Sequence, residues 1–272
     1  MERLEAALEK ARQERQTVRP KEIAPAGPVS MSSPVADKWA ALREAKLTPR
    51  WARRHRITTL KNNRDSAPYD LLRSRALRLM NENNWVRLAV TSPTKNCGKT
   101  TVSTNLAISL ARQPEIRILV LDLDLRRPSM QKILGQQPEN SLHEVLAGDV
   151  AIEKALVRFG DNLAFGLNKT AAVNPSELLQ SKRGRAKLDE IQRAYAPDIV
   201  LFDVPPMLAS DEVVGLLPII DCGLLVGAAD NTTIKQLDVC EKELADLTNV
   251  LGVVLNKCRL SDGESGYDYE YY

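Results

Sequence analysis

Residues 92–101 read Ser-Pro-Thr-Lys-Asn-Cys-Gly-Lys-Thr-Thr, and this stretch decides the fold. It follows an apolar run over residues 86–90 that predicts a strand, and it opens a segment over residues 101–112 whose apolar residues recur at helical spacing. A strand, a tight loop, Gly-Lys-Thr and a helix form the phosphate-binding loop, in which backbone N–H groups and the positive helix end bind phosphate oxygens. We expect Lys99 to reach the β- and γ-phosphates of a nucleotide, and the Thr100 hydroxyl to bind Mg²⁺.

The loop departs from the full pattern G-x-x-x-x-G-K-[ST] at its first position, where Pro93 replaces glycine. Proline has no backbone N–H, so one possible phosphate donor is lost at the start of the loop. The later donors remain, and Asn96 is expected to close the turn because asparagine tolerates the left-handed conformation. The predicted nucleotide-binding residues of the loop are Lys95, Asn96, Cys97, Gly98, Lys99, Thr100 and Thr101.

Composition restricts the class of protein. The 272 residues are 43% hydrophobic, enough for a large α/β domain with an extension, and they include no apolar run long enough to span a membrane. The sequence starts without a signal-peptide apolar region, so a cytoplasmic location is expected. The 4 cysteines lack metal-type spacing, which favours free thiols.

Charge divides the chain into three predicted parts. Residues 1–67 form a basic extension with 15 Lys and Arg against 8 Asp and Glu, residues 68–260 form the P-loop domain, and residues 261–272 form an acidic tail. The extension reads as an amphipathic helix over residues 1–18, a proline-rich linker over residues 19–35, and an arginine-rich arm over residues 50–56 around Trp51. The arm could contact anionic lipid, nucleic acid or an acidic partner, or be a solvated run.

Apolar runs alternate with helical segments through the P-loop domain. Strands are predicted at 86–91, 117–122, 162–167, 198–203, 222–228 and 250–256, and helices near 68–82, 99–112, 141–156, 176–195, 210–218 and 232–247. This alternation predicts an α/β fold with a doubly wound, mostly parallel sheet, whose ligands bind at the carboxyl ends of the strands.

Carboxylates stand at two of these strand ends. One strand runs into Asp122-Leu123-Asp124-Leu125-Arg126, and another runs into Asp203-Val204-Pro205-Pro206. Each acid alone is as compatible with a cap or loop role, but together with the P-loop they suggest a phosphoryl-transfer site. We expect Asp203, with Thr100 and Asp122, to bind the metal; Asp122 orients or deprotonates an attacking hydroxyl, and Asp124 could share the metal.

Two further signals lie near the C-terminus. The last strand ends in Asn256, whose amide could read a purine edge or simply form a turn. The tail carries Tyr267, Tyr269, Tyr271 and Tyr272 separated by Asp268 and Glu270. This pattern predicts disorder and is typical either of phosphoacceptors or of a solvated tail.

The combination of motifs resembles the bacterial tyrosine kinases of capsule and exopolysaccharide synthesis, the CpsD/CapB group, over residues 65–272. The resemblance implies a ParA/MinD-like P-loop NTPase fold and catalysis by Lys99, Asp122, Asp124 and Asp203 with ATP and Mg²⁺. It implies phosphorylation of the tail tyrosines on a neighbouring subunit, and thereby control of polysaccharide polymerisation and export.

The resemblance also implies partners. These are a transmembrane chain-length regulator of the Wzz type as activator, further copies of the chain in a homo-oligomer, and an opposing tyrosine phosphatase; no nucleic acid is expected. The regulator would hold the protein at the inner face of the cell membrane. Two other functions stay open from the sequence: a positioning ATPase of the ParA/MinD kind, and a catalytically weak nucleotide-binding scaffold of the polysaccharide machinery.

Overall fold

A computed structural model describes residues 34–258. The predicted helix over residues 1–18, the linker up to residue 33 and the tyrosine-rich tail lie outside the described residues. Seven strands are present: β1 (Arg87–Thr91), β2 (Ile118–Asp122), β3 (Leu156–Phe159), β4 (Leu163–Gly166), β5 (Ile199–Asp203), β6 (Cys222–Ala228) and β7 (Asn249–Asn256).

Ten α-helices surround the strands within residues 34–258. They are α1 (Pro34–Ala41), α2 (Pro49–Arg54), α3 (Ala67–Asn83), α4 (Lys99–Leu110), α5 (Met130–Leu134), α6 (Leu142–Ala147), α7 (Pro175–Gln180), α8 (Lys182–Tyr195), α9 (Glu212–Leu216) and α10 (Ile234–Leu247). Four short 3₁₀ turns lie at Arg64–Ser66, Ile152–Lys154, Met207–Ala209 and Leu217–Ile219.

The sheet order is β3-β4-β2-β5-β1-β6-β7, and every neighbouring pair is parallel except β3 with β4. Alternate residues of a strand face opposite sides of a sheet. In β1, accordingly, Ala89 packs in one apolar cluster, whereas Leu88 and Val90 pack in a second. Both faces of the sheet are therefore covered, which confirms the predicted α/β, doubly wound, mostly parallel architecture.

The edge strand β3 is absent from the prediction, which placed a continuous helix over residues 141–156. In the structure α6 ends at Gly148, whose φ of 78° lies in the left-handed region that glycine adopts readily. The chain then forms a 3₁₀ turn and the four-residue strand β3, antiparallel to β4. The prediction was wrong here because so short a strand presents too few alternating positions to be distinguished from a helix end.

The arginine-rich arm belongs to the domain, in contrast to the predicted boundary at residue 67. Upstream of it, the Trp39 indole is buried and donates to the Tyr195 carbonyl at 2.8 Å. Residues 43–45 then run beside β3, where Ala45 N donates to the Arg158 carbonyl at 2.8 Å. This segment covers the edge of β3, which would otherwise present unpaired backbone groups.

The arm itself forms α2, capped by the side chain of Thr48, which accepts a hydrogen bond from the Trp51 amide. The Trp51 indole stacks on His55 and donates to the Ile133 carbonyl at 2.8 Å. Ala52 on the same helix is buried. Trp51 is therefore an anchor of the arm on the domain. The interpretation of this stretch as a solvated run is corrected in part: its arginines face solvent, but Trp51 and Ala52 pack on the domain.

Within residues 34–258, no helix combines the length and the apolar character that crossing a bilayer requires.

We predict that Trp51→Ala lowers the free energy of unfolding by about 2 kcal/mol, because it removes a packed ring and leaves the Ile133 carbonyl without its donor. The matched control is Arg54→Ala, an exposed position on the same helix, which should change stability by less than about 0.5 kcal/mol. Urea denaturation measures the free energy of unfolding of both variants. Equal midpoints for Trp51→Ala and wild type would show that α2 is not anchored in solution.

Candidate functional site

The predicted P-loop and the predicted carboxylates meet at one edge of the sheet. Strands β2, β5 and β1 are adjacent and parallel, and Asp122 at the end of β2 pairs in register with Asp203 at the end of β5. The loop that follows β1 leads directly into α4 at Lys99. The carboxyl ends of the three central strands therefore form a single site.

The loop closes in the way predicted from its sequence. Asn96 has φ of 63° and Gly98 has φ of 93°, both in the left-handed region, so the expectation for Asn96 is confirmed. The start of the loop is fastened to the segment after β5, since Met207 N donates to the Ser92 carbonyl at 2.8 Å and Leu208 N donates to the Pro93 carbonyl at 3.1 Å. Pro93 cannot donate to a phosphate, but its carbonyl fixes the loop in place.

Cys97 and Asn256 support the loop from behind. The Cys97 thiol is buried and donates to the Thr94 carbonyl at 3.2 Å. The Asn256 side-chain nitrogen donates to the Cys97 carbonyl at 2.9 Å. The side-chain nitrogen of Asn256 is therefore engaged by the loop itself. The side chains of Cys97 and Asn256 are both absent from the lining of the cavity described below.

The Lys99 ammonium lies between two carboxylates. Its Nζ is 2.9 Å from Asp124 Oδ2 and 3.4 Å from Asp203 Oδ1, and the side chain is largely buried. Burial alone would lower the pKa of Lys99, but the charges of Asp203, Asp124 and Asp122 outweigh it and raise the pKa above its ordinary value. Lys99 therefore stays charged, and Asp124 and Asp203 hold its ammonium at the start of α4 beside the loop.

Asp203 accepts hydrogen bonds from two hydroxyl groups of α4. Thr100 Oγ1 donates to Asp203 Oδ2 at 2.6 Å, and Ser103 Oγ donates to Oδ1 at 3.2 Å. Burial raises the pKa of Asp203, against the lowering effects of Lys99 and Thr100. Ser129, which the sequence did not single out, also belongs to this network, because its hydroxyl donates to Thr100 Oγ1 at 3.2 Å.

Asp122 is fully buried and only partly satisfied. Its Oδ2 accepts from Met130 N at 3.2 Å, whereas its Oδ1 has no hydrogen-bond partner. Burial, followed by repulsion from Asp203, raises the pKa of Asp122 well above its ordinary value. An unpartnered buried carboxylate oxygen is costly, so a cation or a proton donor at this position would stabilise it.

A cavity of about 470 Å³ opens in front of the loop. The predicted site residues that line it are Lys95, Asn96, Gly98, Lys99, Thr100, Thr101 and Asp124. Asp122 and Asp203 are fully buried and lie behind this lining. A cavity of this size, with a cradle of backbone donors and a buried ammonium, is suited to a nucleotide polyphosphate.

Arg126 and Glu212 form an ion pair at the wall of the cavity. Arg126 Nε donates to Glu212 Oε1 at 2.9 Å, whereas Glu212 Oε2 is buried without a partner. Burial raises the pKa of Glu212, and Arg126 partly counters this effect. The sequence prediction missed Glu212, although a charged residue at the start of the apolar stretch 213–217 was a usable signal.

The donor set fits Mg²⁺ only together with a phosphate ligand. Residues 34–258 contain no group of three or more His, Cys, Asp or Glu side chains arranged to bind a metal ion. Mg²⁺, however, is usually bound by one or two carboxylates, with phosphates and water completing its shell. The Thr100 hydroxyl, the Asp203 carboxylate and the unpartnered Asp122 oxygen match that requirement.

We predict that Gly98→Ala and Asn256→Ala act non-additively on stability. An added Cβ at Gly98 meets the Asn256 side-chain nitrogen, and the left-handed backbone strains alanine by about 1–2 kcal/mol. Both single variants break the same hydrogen bond to the Cys97 carbonyl. The double variant should therefore be less destabilised than the sum of the two by about 1 kcal/mol. Strict additivity in urea denaturation would contradict this contact.

We predict that Glu212→Gln changes the pH dependence of stability. Because burial raises the pKa of Glu212 in the folded state, this group stabilises most below the pKa of the unfolded chain, and that contribution is lost as pH rises through the folded pKa. The stability of the Gln variant relative to wild type should therefore increase between about pH 4 and about pH 8. A pH-independent difference in the two unfolding free energies would contradict the prediction.

Known proteins are similar to this chain over the segment that contains the P-loop and the strand-end aspartates. The family model AAA_31, described as an AAA domain, matches residues 89–219. AmsA of Erwinia amylovora, provisionally named a tyrosine-protein kinase, is 30% identical over 232 residues. That alignment covers 83% of this chain but only 31% of AmsA, so the chain spans about a third of the length of this relative.

Solved structures match the same fold. The kinase domain of the Escherichia coli tyrosine kinase ETK superposes with a TM-score of 0.69 at 27% identity, covering 86% of this chain and 90% of that domain. MinD of Pyrococcus horikoshii, solved with Mg-ADP, superposes with a TM-score of 0.53 at 22% identity, covering 64% and 71%, and shows the fold alone. The resemblance predicted from the motifs is thereby confirmed: the chain carries a P-loop NTPase domain of the ParA/MinD-like fold that resembles the bacterial tyrosine kinases.

Proposed function

We propose that the protein is an ATP-dependent protein-tyrosine autokinase, which transfers phosphate to the tyrosines Tyr267, Tyr269, Tyr271 and Tyr272 of a neighbouring copy. The observation that carries the proposal is the cavity in which the P-loop and the strand-end aspartates meet, in a chain that also contains an acidic tyrosine cluster. The similarity to the ETK kinase domain supports the same activity.

Binding of ATP would replace part of the contact between Lys99 and its two aspartates by contacts with phosphate. In the structure Asp124 and Asp203 neutralise the Lys99 ammonium. When the nucleotide binds, the β- and γ-phosphates take up part of this charge, and the loop amides from residue 95 to residue 101 donate to phosphate oxygens. Thr100, Asp203 and Asp122 would hold Mg²⁺ together with the phosphates, and the ion would further neutralise negative charge on the transferring group.

Phosphoryl transfer then depends on Asp122. The phenol oxygen of an acceptor tyrosine bonds to the γ-phosphorus, the bond from that phosphorus to the ADP oxygen breaks, and the phenol proton passes through one water molecule to Asp122, which lies behind the cavity lining. Asp122 is a suitable proton acceptor because it is a carboxylate at the end of β2, in register with Asp203 at the end of β5. Asp124 keeps Lys99 oriented, and Arg126 at the cavity wall is placed to contact a phosphate.

The partners are part of the proposal. A transmembrane chain-length regulator of the Wzz type would activate the kinase at the inner face of the membrane, and a tyrosine phosphatase would reverse its products. Self-association would present the tail of one copy to the cavity of another.

Along α3, Asp70 is engaged within its own subunit by Arg73 and Arg112, at 3.2 and 2.7 Å, whereas Arg75 and Arg78 are exposed and available to a neighbouring copy.

Radiolabelled ATP tests the proposal. Wild type should accumulate phosphotyrosine on the four tail tyrosines, and Lys99→Met should lose at least about 100-fold of this activity. Because Lys99→Met leaves two buried aspartates without their cation, its thermal unfolding is checked by circular dichroism. Asp122→Asn is the second variant, and it should lose phosphotyrosine formation while keeping part of its nucleotide affinity, because Thr100, Asp203 and the phosphates would still hold Mg²⁺. Lys235→Met, an exposed position on α10, is the matched control and should resemble wild type.

Other outcomes identify the alternative functions. Release of inorganic phosphate without phosphotyrosine would contradict the kinase proposal and favour the positioning ATPase, which the MinD-like fold keeps in consideration. Absence of nucleotide binding would favour the scaffold.

A further inference from the structure

A basic groove adjoins the nucleotide cavity. It has a volume of about 430 Å³, shares Arg127 and Ser129 with the cavity, and is also lined by Lys132 and Lys169. Arg127, Lys132 and Lys169 are exposed, and none forms an ion pair with an acidic side chain of residues 34–258. Three unpaired cations thus stand at the rim of a site that otherwise contains buried carboxylates.

The fold itself brings these cations together. Arg127 and Lys132 follow β2, and Lys169 follows β4, the parallel neighbour of β2. The carboxyl ends of both strands lie at the same edge of the sheet as the P-loop. The Gln131 side chain ties the two segments by donating to the Lys169 carbonyl at 3.1 Å.

The nearby acid Glu144 offsets part of the charge of Lys169 but forms no ion pair with the cations of the groove. Its carboxylate is occupied by the Ser141 amide at 2.6 Å and the Asn140 side chain at 3.2 Å. Hydrogen bonding to Ser141, with a smaller contribution from the charge of Lys169, lowers the pKa of Glu144. The lining of the groove contains these three cations and no acidic side chain, so the groove keeps an excess of positive charge.

We propose that this groove binds the acidic tyrosine-bearing tail, residues 261–272, of a second copy of the chain, and so delivers its phenols to the cavity. The proposal deepens the proposed kinase function and rests on it for the reaction, though not for the binding. The tail contains four acids, Asp262, Glu264, Asp268 and Glu270, and no Lys or Arg. Its charge is complementary to the three cations of the groove.

The alternation of tyrosines and acids in the tail is also compatible with binding in the groove. In an extended chain, residues two apart share a face. Tyr267, Tyr269 and Tyr271 would therefore lie on one face, and Asp268 and Glu270 on the other. The acids can contact the cations of the groove while a tyrosine is directed toward the adjoining cavity.

A second copy is a better donor than the same chain. Strands of a sheet lie about 4.8 Å apart, so the end of β7 is about 20 Å from the groove beyond β2. The segment from residue 259 to residue 267 spans at most about 30 Å when fully extended. A chain's own tail is thus long enough to reach the groove, but its path would cross the carboxyl ends of β6, β1 and β5, and so the P-loop and the mouth of the cavity, where ATP must enter.

Fluorescence anisotropy of a labelled peptide of residues 259–272 tests the proposal. The peptide is added to the full chain with a non-hydrolysable ATP analogue and Mg²⁺. The variant Lys132→Glu/Lys169→Glu leaves Arg127 and the nucleotide cavity intact and should weaken binding by roughly tenfold or more. The control Lys235→Glu/Lys242→Glu makes the same charge change at exposed positions of α10 and should bind like wild type.

A second peptide, in which Asp268 and Glu270 are replaced by Asn and Gln, should bind weakly to all three proteins. Equal weakening in both charge-reversed proteins, or no weakening in either, would overturn the docking site. Failure of the added peptide to bind wild type would overturn the assignment to a second copy. If wild type forms no phosphotyrosine but peptide binding still follows the groove charge, the kinase proposal fails while the docking proposal stands.

Discussion

The buried ammonium of Lys99 is the interaction on which the site depends. It stands between Asp124 at 2.9 Å and Asp203 at 3.4 Å, in a place where a single unpaired charge would be strongly unfavourable. Removing one partner of such a group typically costs about 3–5 kcal/mol, because the remaining charge is left uncompensated. The three side chains therefore have to be positioned together, and the elements that carry them, α4 and the segments that end β2 and β5, have to meet at one place. The fold of the sheet satisfies this requirement.

A loop with few glycines can serve the same site because other contacts replace what glycine would supply. Asn96 and Gly98 take the two left-handed positions, the segment after β5 binds the Ser92 and Pro93 carbonyls, and Asn256 binds the Cys97 carbonyl. The contacts come from two parts of the chain outside the loop, the segment after β5 and the end of β7. The loop is thus shaped by the surrounding domain as well as by its own sequence, and it closes without the first glycine of the standard pattern.

Sequence patterns predict the central part of this structure because its signals are local. Buried apolar strands, a Gly-Lys-Thr at a helix start and acids at strand ends each occupy a short continuous stretch, and the parallel sheet brings them to one edge. The features that were missed depend on contacts between distant segments. Trp51 is an anchor only because Ile133 offers its carbonyl, and Glu212 is buried only because α9 packs beside the cavity. The short strand β3 forms only because β4 is there to pair with it.

The central claim is that this loop and its buried cation bind a magnesium nucleotide. Isothermal titration calorimetry of wild type with ATP tests it most directly, in the presence of Mg²⁺ and again with the metal chelated. The account predicts saturable binding at one site per chain when Mg²⁺ is present, and a marked loss of affinity when it is removed, because the carboxylates would then face the phosphates without a metal between them. Absence of binding under both conditions, or equal affinity with and without Mg²⁺, would contradict it.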